Sequence, residues 1–321
     1  MLTSTLLDDL HRAHPNARLD FCTTDAVAPV IENHPLIARR IPLRKRFFDD
    51  VRAVRAGRYD WLVDTWCTPR SAAIAAFSGI PVRAGYAVRP PRVYAYTHRV
   101  PRNPTPPLYS ALDRKRLLGA LGIATQPSTP KISLSDAERE HGRALLRSLG
   151  VRSAAPLVGV TLAASMQRNR WPVERWADVC DAIDMLGAVP VMFAAPGDEA
   201  ATAAFAVRSS RAVVIPPRAL RDFLAMLAAC AVVVSPDSGP SHIARAVGAR
   251  TVTIYVRGRA AVWGPGTSDA IALEASPDVE CPQCAMSLKE GRDVVHACLL
   301  AIDVNRVANA VERQLNLVRA S

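Results

Sequence analysis

The sequence predicts an α/β fold in two domains, and three features carry that prediction. Apolar runs of strand length alternate with segments of helical period. In the second half these runs are rich in valine and isoleucine, as strands buried on both faces of a parallel sheet require. A proline- and serine-rich connector, IATQPSTPKISLS at 123–135, separates two stretches that are each long enough for a core of their own. The boundaries that follow are 1–135 and 136–321.

The first half reads as helix over 2–12, strand over 18–22, strand over 59–64 and helix over 71–77. Residues 89–107 are rich in proline, arginine and tyrosine without periodicity and read as a long surface loop. Helical character returns over 109–121. The second half contains five apolar runs, at 157–162, 189–194, 212–215, 231–235 and 251–255. Helical segments over 172–186, 199–207, 220–230 and 241–248 supply the crossovers of a doubly wound parallel sheet. Gly187 and Gly248 are placed to stop helices, and Asp303 is placed to cap an amphipathic helix over 303–317.

Half of the 321 residues are apolar, and no apolar run approaches the roughly 20 residues that span a bilayer. The amino terminus does not read as a signal peptide. Seven cysteines, an odd number spread over a long chain, do not form a disulfide framework. Together these features point to the cytoplasm. The net charge of +11 is unevenly held, since residues 1–130 contain 19 Lys and Arg against 10 Asp and Glu. The densest patch is 39–46, followed by Arg83, Arg89, Arg92, Arg99 and Arg102. The patch is either a solvated arginine surface or a face for an anionic partner or membrane. No zinc finger, RNA-recognition motif or helix-turn-helix pair accompanies it, so no nucleic-acid partner is expected.

The stretch VVVSPDSGPSHIARAVGA, 232–249, runs from a buried strand through a polar hinge into a helix. At the carboxyl end of a parallel strand such a hinge presents helix N–H groups to an anion. Ser238 and Gly239 can bring backbone amides to an oxyanion, and Ser238 adds a hydroxyl. His242 lies one turn into the helix. Asp237 would repel phosphate and is assigned to a ribose or to organising the loop. In TLAASMQRNRWP, 161–172, Arg168 or Arg170 precedes Pro172 at a helix start and can clamp a diphosphate. Glu199 opens the helix after PGD and is either an acid placed favourably in a first turn or a ligand contact.

TLAASMQRNRWPVERWADV, MFAAPGDEA, VVVSPDSGPSHIARAVGARTVTIYV, VWGPG and CPQC with HACLLAI resemble the heptosyltransferases, glycosyltransferase family 9, in order and spacing. YDWLVDTWCTPRSAAIAAFSGIPVRAGY, 59–86, resembles that family's first domain. The resemblance implies two Rossmann-like domains facing across a cleft, the GT-B arrangement, with acceptor in the first and nucleotide sugar in the second. It implies an inverting glycosyltransferase that moves heptose from ADP-heptose to lipopolysaccharide inner core or a related acceptor, at the inner face of the cytoplasmic membrane, with no required metal or other cofactor. By position, Asp237, Ser238, Gly239 and His242 would contact the donor's diphosphate or sugar, Arg170 stands where the family carries lysine, and Glu199 would contact the nucleoside.

Family members begin with a strand and a Gly-Asp turn whose Asp is the expected base, and this sequence starts at the following helix. The base is therefore expected just before Met1, or the chain is a homologue that binds nucleotide sugar without catalysis. The neighbours of that central strand should lose ladder partners and burial. Asp8, Asp9 and Asp64 are the acids nearby, with no spacing that marks one as a base. Cys281, Cys284, His296 and Cys298 form a workable zinc set by ligand type, separated by a long insert at 285–295, with reduced packing thiols as the default reading.

Overall fold

A computed structural model describes residues 1–44, 46–286 and 290–320. Lys45 in the basic patch and 287–289 in the insert between the cysteines lie outside them. The chain divides into two compact units, Met1–Ser133 and Leu134–Ser321.

The first unit contains strands β1 (Asp20–Thr23), β2 (Arg39–Pro42), β3 (Trp61–Val63), β4 (Val82–Ala87) and β5 (His98–Pro101). Its helices are α1 (Thr5–Ala13), α2 (Phe47–Ala56), α3 (Pro69–Phe77) and α4 (Ser110–Gly119). All pairings are parallel, but the strands form two sheets, β1-β2 and β3-β4-β5. Among the described residues β1 pairs only with β2, and β3 only with β4. A cavity of about 890 Å³ separates β1 from β3, lined by Leu6, Leu10, His14, Phe21, Trp61 and Val63.

Two expectations for this unit need correction. The segment 89–107 is not all loop, because β5 lies within it, paired in register with β4 from Ala84↔His98 to Ala87↔Pro101. Buried Tyr96 and Val100 anchor it, a signal that the surrounding prolines and arginines obscured. The basic patch at 39–46 contains β2, whose Ile41 is buried while Arg39 and Arg40 pair with Asp20 and Asp25. Arginines here also bind carbonyls: Arg83 reaches Ala95 and Arg92 reaches Cys67.

The second unit is built on one six-stranded parallel sheet of β6 (Leu157–Thr161), β7 (Val189–Phe193), β8 (Val213–Ile215), β9 (Val232–Pro236), β10 (Arg250–Ile254) and β11 (Ala270–Leu273), in the order β11-β10-β9-β6-β7-β8. The helices are α5 (Asp136–Ser148), α6 (Val173–Met185), α7 (Glu199–Arg208), α8 (Leu220–Leu227), α9 (Gly239–Val247), α10 (Ala260–Trp263), α11 (Ala297–Leu300) and α12 (Val304–Arg319). The strand missed in the sequence is β11, a short edge strand of mixed burial that follows a Gly-Thr-Ser turn. Val232, Val233 and Val234 are fully buried, as strands covered on both faces must be. Trp176, Ile183, Val252, Ile254, Leu299, Val307 and Leu315 belong to one continuous cluster with Val232 and Val234.

Local chemistry sets the helix ends. Ser135 and Glu138 form a reciprocal capping box at the start of α5. Asp303 accepts the Arg306 amide at 2.7 Å and caps α12. Gly248 ends α9 with φ of 105°, a conformation that strains any residue with a side chain.

Candidate functional site

In a sheet ordered β11-β10-β9-β6-β7-β8, successive connections leave β6 toward β7 and later return to β9 on its other side. The chain therefore reverses direction between β6 and β9, and open α/β sheets bind ligands beyond the carboxyl ends of the strands at that point. Two segments meet there: the loop after β6, with a single 3-10 turn at Gln167–Asn169, and the hinge of Asp237 and Ser238 before α9.

Asn169 joins them, since its buried Nδ2 donates to the Asp237 carbonyl at 2.8 Å. The Asp237 amide donates to the Ile254 carbonyl at 3.0 Å, so both backbone groups of that residue are held. Its carboxylate lies 3.6 Å from Arg259 Nε, an ion pair longer than a hydrogen bond. Burial pushes the Asp237 carboxyl above its usual range, and Arg259 and Arg168 only partly offset this. Arg168 is itself buried, which together with repulsion from Arg259 holds its pKa below the ordinary arginine value. The Arg259 guanidinium lies over the Trp263 ring at 5.5 Å, and the His242 ring approaches the same indole at 5.9 Å.

Several buried polar atoms here have no protein partner: Thr161 Oγ1, Arg168 Nε, Asn169 Oδ1, Ser235 Oγ, Ser238 Oγ, Arg259 Nε and Trp263 Nε1. Buried polar groups are nearly always satisfied, so such a concentration at the strand ends marks a place where a ligand supplies the bonds. Six of the seven, all but Asn169 Oδ1, can donate: three hydroxyls, the Arg168 and Arg259 Nε–H groups and the Trp263 indole N–H. Ser238 precedes α9 without capping it by its side chain, and among the described residues nothing beyond the chain neighbours and the helix's own backbone lies within 4 Å of a Cβ built on Gly239. Of the first α9 positions, Pro240 has no N–H and the Ser241 amide donates to the Ser238 carbonyl at 3.3 Å, which leaves the Gly239 amide, beside the buried Ser238 hydroxyl, to offer an anion a donor.

The sequence-derived residues fall into two groups. Asp237, Ser238, Gly239 and His242 lie on the β9 side. Arg170 and Glu199 lie toward β7, where Arg170 donates to Asp198 at 2.9 Å and to the Ala164 carbonyl at 3.1 Å. A cavity of about 250 Å³ opens there, lined by Leu162, Gln167, Arg170, Pro172 and Asp198. Glu199 is exposed at the start of α7 and accepts the Gly197 amide at 3.0 Å. That bond and the one from its own amide hold its carboxyl below the ordinary range. Consecutive residues serve the two sides, Asn169 toward Asp237 and Arg170 toward Asp198.

Asn169, Arg259 and Trp263 were not named individually in the sequence, although all lie in the segments that follow β6 and β10. Their position beyond a parallel strand was the available signal, and only tertiary contact shows which of the loop residues turn inward. In the first unit, Asp64 accepts from the Trp66 and Cys67 amides and from Tyr96 Oη, and Asp9 is bound by Lys115 and Arg12. These two acids organise the fold.

Residues 48–291 match the family model for glycosyltransferase family 9, described as heptosyltransferase. Lipopolysaccharide heptosyltransferase 1 of Salmonella typhimurium is 23% identical over 271 residues, 79% of this chain and 83% of that protein. The structure of E. coli ADP-heptose lipopolysaccharide heptosyltransferase II superposes with a TM-score of 0.78 at 19% identity, covering 99% of this chain and 95% of that one. A glycosyltransferase family 9 protein from Veillonella parvula superposes with a TM-score of 0.82 at 21% identity, covering 98% and 93%. The chain shares its two-domain α/β fold with these proteins.

Proposed function

The chain belongs to glycosyltransferase family 9, the heptosyltransferases, and from that premise we propose that it transfers heptose from ADP-heptose to lipopolysaccharide inner core or a related anionic acceptor, with inversion at the anomeric carbon. The observation that carries the reading is the set of unsatisfied buried donors gathered with the start of α9 where the sheet reverses. A sugar nucleotide leaves as a diphosphate whose charge grows as the glycosidic bond breaks. Preorganised donors that meet this charge act where water is excluded, and there they are worth most. Arg168, Arg259, Ser238 and the Gly239 amide supply them without a required metal or cofactor. Asp237 holds Arg259 and, through its carbonyl, Asn169, so its work is to set the loop. His242 and Gly239 face the same diphosphate or sugar, while Arg170 and Glu199 border the nucleoside.

The acceptor belongs to the first unit, whose arginine surplus suits a phosphorylated lipid core and contact with the inner face of the cytoplasmic membrane. No helix among the described residues is long and apolar enough to cross a membrane. A second reading, a nucleotide-sugar-binding protein without transfer activity, is favoured by the engagement of Asp9 and Asp64 in the fold.

Calorimetric titration with ADP, UDP and GDP tests the donor assignment. ADP should bind selectively, and Asp237→Ala or His242→Ala should weaken it about tenfold or more, equivalent to about 1.4 kcal/mol. A folded chain that binds none of the three refutes both readings. Release of ADP from ADP-heptose in the presence of acceptor then separates enzyme from binding protein.

A further inference from the structure

Between the end of β11 and the start of α12 the chain runs for roughly 30 residues, of which the described ones form no strand, a connection longer than is usual in compact domains. Within the described part only single turns are present, at Pro282–Ala285, Glu290–Asp293 and α11. Yet parts of this segment are deeply buried: Cys298, Leu299 and Ile302 are fully inaccessible, and His296 is 1% exposed. Something other than regular structure holds the segment in place.

Cys281 and Cys284 flank and occupy the first turn, while His296 and Cys298 lie at the start of α11. The four side chains converge, with one ligand atom from each and all four atoms within 4.8 Å of one another. Cys284 Sγ is 3.4 Å from Cys281 Sγ and 3.5 Å from Cys298 Sγ. His296 Nδ1 is 3.6 Å from Cys284 Sγ and 4.0 Å from Cys281 Sγ. A tetrahedral zinc ion with Zn–S of about 2.3 Å and Zn–N of about 2.0–2.1 Å sets sulfurs about 3.8 Å apart and sulfur and nitrogen about 3.6 Å apart. The two sulfur–sulfur separations are slightly shorter than that edge and the two sulfur–nitrogen separations equal to or slightly longer than theirs, all within about half an ångström of the tetrahedral values. Packing thiols would need only pairwise contact; four ligand atoms enclosing one point is the geometry of a closed metal site.

We propose that Cys281, Cys284, His296 and Cys298 bind one thiophilic metal ion, zinc by its three-sulfur, one-nitrogen ligand set, as a structural cross-link of this segment. The ion ties the turn at Cys281 to α11. From there Arg175 bonds the Leu300 and Ile302 carbonyls and Trp171 Nε1 bonds that of Ile302, so the cross-link steadies the loop after β6. Three thiolates with a divalent ion leave one negative charge, and buried Arg168 lies within electrostatic reach of Cys284 and Cys298 to balance it. The proposal rests on the ligand geometry and is independent of the transferase reading.

The test is metal analysis of the full chain produced with zinc supplied and purified under reducing conditions. About one zinc per chain is expected, falling to less than about a tenth in Cys284→Ser and unchanged in Cys22→Ser, whose thiol lies outside the cluster. If Cys284→Ser does not fold, cobalt titration of the metal-stripped wild-type chain decides alone, because thiolate-to-cobalt charge-transfer bands saturating near one equivalent report the same site. Iron at the same stoichiometry also supports the site. A folded, reduced chain that takes up neither zinc nor cobalt, or freshly isolated protein with Cys284 in a disulfide and no metal, overturns the proposal.

Discussion

Where α1 meets α4 in the first unit, Asp9 is buried against Lys115, with Arg12 and the Gln126 amide on its other side. Where α5 meets α8 in the second unit, the joint is Gly142 pressed onto the Ala225 backbone, so tightly that a Cβ would lie 2.4 Å from its carbonyl. The pattern extends through each unit. In the first, Asp20 receives Arg39 and Tyr59, Asp50 receives Arg70, and Asp64 receives Tyr96, around small apolar clusters of ten or fewer buried residues each. In the second, a large apolar cluster packs on the sheet, from Val158 and Val232 to Val311 and Leu315. A divided sheet buries less apolar surface, and directed polar bonds hold what packing does not. A surplus of arginine is thus partly structural material, and net charge alone overstates how much of it is free for a partner.

The comparison breaks or sharpens on measurable differences. Asp9→Ala leaves a buried lysine unpaired and should lower stability by about 3–5 kcal/mol, read by denaturant unfolding, with much of the loss recovered in Asp9→Ala/Lys115→Met. Gly142→Ala forces α5 and α8 apart and should lower stability by about 1–3 kcal/mol. If its loss exceeds that of Asp9→Ala, the contrast between charge and packing is wrong. The α5–α8 joint also carries an ion pair beside Gly142, and acid reads its share. The Arg221 guanidinium, with help from Ser135, holds the Glu138 carboxyl down to about 2. Because that value lies below the unfolded one, the pair's contribution is present above an unfolded pKa of about 4.3 and lost as pH falls toward 2. With both side chains partly solvated it should amount to about 1–2 kcal/mol, and Glu138→Gln should remove that part of the pH dependence. The smallest effect is kinetic: amides of β1 and β3 that face the cavity should exchange faster than those of β9, which is paired on both sides.

Much of the second unit was legible because buried parallel strands announce themselves. VVVSP, LVGVT and VPVMF are short apolar runs between helical periods, and the order of segments predicts the sheet. The first unit was harder to read. Its strands carry arginine and proline, and β2 and β5 are recognisable only by Ile41, Tyr96 and Val100 turning inward. For the candidate site, the hinge of Asp237, Ser238 and Gly239 was visible as polar residues between strand and helix. Arg259 was not, because a loop arginine looks the same whether it faces water or a buried carboxylate.

The sequence by itself determined the α/β class, the parallel sheet of the second unit and the helix ends at Asp303 and Gly248, all of which depend on periodicity and on groups a few residues apart. Only the tertiary structure decided that β1 and β3 are the strands left with a single partner each, that Asn169 and Arg259 converge on Asp237, and that one ligand atom from each of three cysteines and a histidine lies within 4.8 Å of the others. Those outcomes depend on which of many distant, chemically equivalent side chains are brought within a few ångströms, and that is set by how the elements pack.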